Sequence, residues 1–162
     1  GGLSIPAVPV PGGAGVTILP QTTTQFSSAF RAQVDGFGFT GGSDTVDPGA
    51  AGAIYVHAFA HSFQATDIVV AGNYASSSGG IAVGQCLSGL DLTGSFTEHD
   101  FNDHIEIAQS RFVNNAASLD YGGGGAIGLR AGTGDYVVAG NQICSNTALG
   151  ERISRPRSPR ST

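Results

Sequence analysis

The densest group of side chains able to move a proton or hold a cation is Glu98-His99-Asp100-Phe101-Asn102-Asp103-His104. An imidazole titrates near neutral pH and a carboxylate beside it can orient the ring. His99 and His104 with Asp100 and Asp103 therefore form a candidate acid/base set. Asp100 and Asp103 also offer the hard oxygen ligands that Ca²⁺ prefers, and Ca²⁺ is the one cofactor left open. Arg130 would hold an anionic group beside this set and stabilise charge developing on it. The second candidate is the run Tyr55, His57, Phe59, His61 and Phe63 at alternate positions. A strand continuing through it would put all five on one outer face, with Tyr55, His57 and Phe59 free to stack on a ligand. His57 and His61 would then stand roughly 13 Å apart, too far to share a metal ion.

Each candidate has a plainer reading beside it. The 98–104 segment also reads as a solvated loop that caps the strand of Ile105, since no complete catalytic motif surrounds it. The aromatic run can stop being a strand near Ala58, with Phe63 turned inward. Arg111 and Arg130 can serve as structural ion-pair partners of Glu106 or Asp135. The glycine run 122–125 lacks the Gly-Lys-Ser/Thr ending and following helix of a phosphate loop, and that reading is rejected.

Composition sets the limits on these readings. The chain has 162 residues, 26 of them glycine, with 40% hydrophobic and only 12% charged side chains. Many tight bends and short apolar clusters such as IVV, IEI and YVV describe one folded domain rather than a disordered one. The net charge is −5, and four of the seven arginines lie after Gly150, so residues 1–150 carry three arginines against eleven acids. An acidic body argues against nucleic acid as the partner, because phosphate binding needs a basic face. No apolar stretch is long enough to span a membrane. Two cysteines, Cys86 and Cys144, make no disulfide framework and no zinc spacing, and both are expected as buried or half-buried free thiols.

The elements that must position these residues emerge from internal similarity. The segments VDGFGFTGG, TDIVVAGN, DHIEIAQS and GDYVVAGN align with Thr40, Ala71, Ala108 and Ala139 equivalent, at spacings of 31, 37 and 31 residues. In each, apolar residues alternate, which is the period of a strand with one buried face. The alignment predicts two inner stacks, Ile68/Ile105/Tyr136 and Val70/Ile107/Val138. A second strand with a small-small-Ile pattern follows the first three segments, at Gly52-Ala53-Ile54, Gly79-Gly80-Ile81 and Gly125-Ala126-Ile127. Between the strands, Asn73, Ser110 and Asn141 form an expected polar turn row, because asparagine accepts left-handed backbone and can bond the coil above. Strand-turn-strand units without helical periodicity stack most simply as solenoid coils. An antiparallel sandwich is the alternative, and it would not return the same residue type to the same place in each unit.

The strings Phe112-Val113-Asn114-Asn115 and Gly124-Gly125-Ala126-Ile127 resemble the FxxN and GGAI repeats of bacterial polymorphic outer-membrane and autotransporter passenger proteins. VDGFGFTGG and HIEIAQSRFVNN resemble coils of pectin-lyase-like right-handed parallel β-helix proteins of bacterial surfaces. The resemblance covers about residues 30–148. It implies an all-β, right-handed parallel β-helix of about four partial coils, secreted or exposed on a cell surface. The expected layout is a Pro/Gly-rich lead-in over 1–30, coils over 31–148 and a disordered Arg/Pro/Ser tail over 149–162, a fragment truncated at both ends. The expected function is a non-enzymatic segment of a secreted or cell-surface β-helix, either structural and adhesive or carbohydrate-binding, with a polysaccharide or host or cell-surface glycan the partner class left open and no membrane contact of its own. The alternative is a polysaccharide lyase, glycosidase or epimerase that uses the 98–104 loop with Arg130 on a uronate. Whether the chain is an enzyme stays open at this point.

Overall fold

The computed structural model describes residues 14–18, 27–44, 51–57, 62–85, 104–118, 124–129 and 135–149, and these contain strands and no helix. After β1 (Val16–Ile18), a first coil carries β2 (Gln33–Asp35), β3 (Gly38–Thr40), β4 (Ser43–Asp44) and β5 (Ile54–His57). The second carries β6 (Gln64–Thr66), β7 (Val69–Ala71), β8 (Tyr74–Ala75) and β9 (Ile81–Gln85). The third carries β10 (Ile105–Ala108), β11 (Arg111–Val113), β12 (Ala116–Ala117) and β13 (Ile127–Leu129), and the fourth β14 (Tyr136–Ala139), β15 (Gln142–Cys144) and β16 (Thr147–Ala148). Every strand pairs parallel with its counterpart in the adjacent coil, giving four four-stranded sheets, β2-β6-β10-β14, β3-β7-β11-β15, β4-β8-β12-β16 and β1-β5-β9-β13. The chain is an all-β parallel solenoid of about four coils.

In the second, third and fourth coils three sides are five residues long, and each begins at a residue with left-handed backbone. In the second coil these are Ser62, Asp67 and Gly72, in the third His104, Gln109 and Asn114, and in the fourth Asp135, Gly140 and Ser145. A left-handed residue turns the chain through a corner without breaking the ladder above and below. The first and third residues after each corner point to the axis. Ala65, Ile107, Val70 and Phe112 are such residues and are fully buried. The fourth side, β5, β9 or β13, leads into connectors of variable length, and this is where the coils differ.

Length variation in those connectors corrects the inner stacks expected from sequence. Equivalent residues are 31 apart between the first and second coils, 42 between the second and third, and 31 between the third and fourth. Ile105 does pair with Tyr136, and Ile107 with Val138. Ile68 and Val70 belong to other rows, because Val70 pairs with Phe39 and Phe112 whereas Ala65 pairs with Ile107. The expected alignment was displaced by one five-residue side. Each side repeats the pattern of its neighbour, so a slip of one side keeps every apolar residue inward.

The polar turn row is likewise real but differently populated. At the third corner Asn73, Asn115 and Asn146 stack, and at the second Ser110 stacks under Asn141. Asn115 is fully buried; its Oδ1 accepts from the Asn73 backbone N–H at 3.1 Å and from Asn73 Nδ2 at 2.9 Å. Its own Nδ2 donates to Val70 O and to Asn146 Oδ1, both at 2.9 Å. The motif Phe112-x-x-Asn115 thus names one core-filling ring and one member of the ladder. The small-small-Ile motif is the close approach of the fourth side to this corner. A Cβ added to Gly79 would lie 2.4 Å from Ala116 N and 2.7 Å from Gly125 O.

Neighbouring asparagines should therefore respond in opposite ways. Asn115→Ala strands several buried backbone and amide groups and should cost about 2–4 kcal/mol. Asn114→Gly, at an exposed corner with φ 55°, should be neutral or stabilising by up to about 1 kcal/mol. Urea unfolding midpoints at constant m-value check both.

Candidate functional site

The first corner differs from the other two in its outward row. Gly36 and Gly140 occur in the second-corner row, and Gly41 and Gly72 in the third, but the first-corner row is Arg31, Ser62, His104 and Asp135, one per coil. Ser62, His104 and Asp135 all have positive φ, between 47° and 56°. A side chain at such a backbone costs roughly 1–2 kcal/mol relative to a relaxed conformation, least for Asp and Asn. Glycine would turn the chain with less strain, yet this row keeps polar side chains throughout.

These residues open onto a groove of about 510 Å³ lined by Ser28, Arg31, Ser62, His104, Ile105, Glu106, Asp135, Tyr136 and Val137. Its floor is the outer edge of the sheet β2-β6-β10-β14. Glu106 points outward between the buried Ile105 and Ile107, as strand alternation requires. Gln64 in the adjacent coil donates an Nε2–H to Glu106 Oε2 at 3.0 Å and so orients the carboxylate. His104 Nε2 lies 3.2 Å from Asp135 Oδ2 across the next intercoil step, with both side chains about two-thirds exposed. The Tyr136 ring is half-buried, packed on the core beneath one end of the groove. Arg31 marks the other end, two steps of about 4.8 Å below the level of His104.

Of the residues expected from sequence to form an acid/base set, the structure describes His104 and puts it beside Asp135 and Glu106. His99, Asp100, Asp103 and Arg130 lie outside the described residues, as do Phe59, His61, Cys86, the lead-in before residue 14 and the tail after residue 149. The ion pairs expected for Arg111 are corrected, since Glu106 faces Gln64 and Asp135 faces His104. Tyr55 is corrected too. It is only 1% exposed, packed among Ala51, Ala82 and Ala14, and presents no ring to a ligand. His57 lies on β5 just after a register shift against β9. Phe63 is fully buried, in agreement with the inward reading. Cys144 is a free thiol as expected, but exposed rather than buried, on a strand of the last described coil whose three residues are all exposed. Among the described residues no group of three or more His, Cys, Asp or Glu side chains is placed to hold a metal ion.

Arg31, Glu106, Asp135 and Tyr136 were not recognised from sequence as parts of one site. The signal that unites them is the set of offsets 31, 42 and 31, and the alignment needed for those offsets is the one the five-residue degeneracy conceals. Comparison with known protein families, curated proteins and solved structures gives no match.

Because glycine meets a left-handed corner with less strain than histidine, His104→Gly should not lower the thermal midpoint and should raise it slightly, by up to about 1 kcal/mol of stability. Asp135→Asn should leave the midpoint unchanged, since an exposed pair contributes little. Scanning calorimetry of both variants measures this, and a clear loss at either position would mean that the pair holds the fold.

Proposed function

We propose that the chain is a structural or adhesive segment of a secreted or cell-surface parallel β-helix of the pectin-lyase-like kind, which holds carbohydrate on its outer face without turning it over. The observation that carries this reading is the polar groove across four coils, where Arg31, Ser62, His104 and Asp135 recur in register above Glu106 and Tyr136. Stacked coils repeat about every 4.8 Å, a rise comparable to one pyranose residue, so a sugar chain laid along the axis meets one corner side chain per residue. Hydroxyls, a carboxylate, an imidazole and a guanidinium beside an aromatic edge are the donors, acceptors and apolar surface that sugars use. The resemblance of FVNN, GGAI and VDGFGFTGG to surface β-helix repeats supports the location.

A second reading, turnover by an acid/base pair, is favoured by one contact, His104 with Asp135 beside the oriented Glu106. The two readings separate in one experiment. Incubated with a panel of plant, bacterial and animal polysaccharides, the protein should retain one or more of them in affinity electrophoresis. It should release no new reducing ends and no unsaturated products. Arg31→Ala and Glu106→Gln should each weaken retention. Product release abolished by Glu106→Gln would replace binding with catalysis, and retention of no polysaccharide would remove the carbohydrate reading.

A further inference from the structure

The two ends of the described stack are shaped to fit each other. The upper end presents β14, β15 and β16 of the fourth coil, but on the fourth side the sheet stops one level lower, at β13. The lower end presents β2, β3 and β4 of the first coil, and on the fourth side β1 projects one level further, beneath β5. A gap one strand deep at one end thus matches a projection one strand deep at the other. Both ends also leave core positions open. Ile143 is 51% exposed although Phe112, its partner in the coil below, is fully buried, and Leu129 is 37% exposed above the fully buried Val83. At the lower end Phe37 is 63% exposed. Proline and charged residues commonly keep an open strand edge from pairing, and β14, β15 and β16 contain neither.

We infer that the chain assembles head to tail with further copies of itself, the first coil of one copy seated on the fourth coil of the next so that all four sheets run on. Continuing each row by one step puts Val34 over Val138, Phe39 over Ile143 and Ile18 over Leu129, apolar on apolar. At the first corner it puts Arg31 over Asp135, the one charged side chain among the described residues of the fourth coil. Asp35 falls over Ala139, so no like charges oppose each other. A symmetric pair fits less well. Two upper ends would leave both gaps above β13 unfilled, and two lower ends would set one β1 against the other. The contact is therefore heterologous and does not close, which yields rods rather than a dimer. Two places make it weaker than an internal step. Asn146 meets Gly42, which has no amide to accept the Asn146 backbone N–H as Asn146 accepts that of Asn115, and Asp44 rather than alanine stands over Ala148. Association is accordingly reversible and grows with concentration. It does not depend on what the groove holds, and along such a rod the corner row continues from Asp135 of one copy to Arg31 of the next.

The test is sedimentation velocity of the whole chain in reducing buffer over a wide range of concentration. The mean mass should climb past that of a dimer without a plateau, and negative-stain images should show rods one solenoid wide. Ile143→Asp blocks the upper end and Phe37→Asp the lower, both at exposed side chains. Each variant alone should be monomeric with an unchanged thermal midpoint, and an equimolar mixture should form a dimer and nothing larger, since each supplies its intact end. Arg31→Glu should weaken association about tenfold or more, and Asp135→Asn added to it should restore part of the loss. Register has its own readout, away from the core. Thr40 begins the row that ends at Cys144. Adjacent strands about 4.8 Å apart fall within the roughly 4.4–6.8 Å between Cα atoms that a disulfide spans. Oxidised Thr40→Cys should therefore give a ladder of multimers joined from position 40 to Cys144, and Ser43→Cys, whose row ends at Thr147, should not. A monomer at every concentration with no such ladder overturns the inference, the ends then being covered by the chain's own terminal segments. A mass that stops at a dimer, or a mixture of the two blocked variants that stays monomeric, overturns the head-to-tail contact. Equal ladders from Thr40→Cys and Ser43→Cys overturn the register.

Discussion

The row of amides at the third corner is the interaction on which the stack depends. A coil that turns sharply leaves backbone donors and acceptors pointing along the axis, away from water, and each must find a partner. Asn73, Asn115 and Asn146 meet this need in the same way. The Nδ2 group of each reaches back to a carbonyl of the coil before it, Phe39 O, Val70 O and Phe112 O, at 2.9–3.2 Å. The Oδ1 of each accepts the backbone N–H of the residue below, Gly42, Asn73 and Asn115. The side chain therefore measures one intercoil step, and a coil out of register could not close both bonds. Apolar side chains alone would not impose this, because every five-residue side buries a similar set.

That degeneracy explains how much of the fold was legible. Alternation at Ile105/Ile107 and Tyr136/Val138, the repeated small-small-Ile strand and the recurrence of Asn and Ser at turns established an all-β solenoid of about four coils. Register was legible only where connectors have equal length, as between the third and fourth coils. Between the second and third, the long insertion after β9 hid the true offset, and TDIVVAGN matched DHIEIAQS one side too early. The informative feature was the five-residue recurrence of residues tolerant of positive φ, Gly36/Gly41, Asp67/Gly72, Gln109/Asn114 and Gly140/Ser145. Asp, Gln and Ser stand among those glycines and asparagines, so the recurrence is visible as geometry more readily than as letters.

Tyr55 shows a different limit. Strand alternation assigned it correctly to the side of β5 opposite Ile54 and Val56, but the direction of a side chain does not determine its exposure. Ala51, Ala82 and Ala14 pack against the ring, so a position outside the coil is still inside the molecule. Exposure depends on what lies over a face, and alternation carries no information about that.

The groove follows from the same register that the amide ladder enforces. Once Asn73, Asn115 and Asn146 are aligned, the first corners are aligned as well, and Arg31, Ser62, His104 and Asp135 form a row although 31 or 42 residues separate them in sequence. Inward positions are constrained by packing and ladder bonds to a narrow choice of residues. Outward corner positions are constrained only by backbone, which glycine meets with least strain. The first-corner row is the one of the three that carries no glycine among the described residues, with Ser62, His104 and Asp135 at left-handed φ, whereas the other two rows mix glycine with Asp, Gln, Asn and Ser. Function in such a solenoid is written in the outward residues, which the repeat leaves free to vary. Strings that reveal the coil, such as Phe112-x-x-Asn115, are for that reason silent about the outward surface.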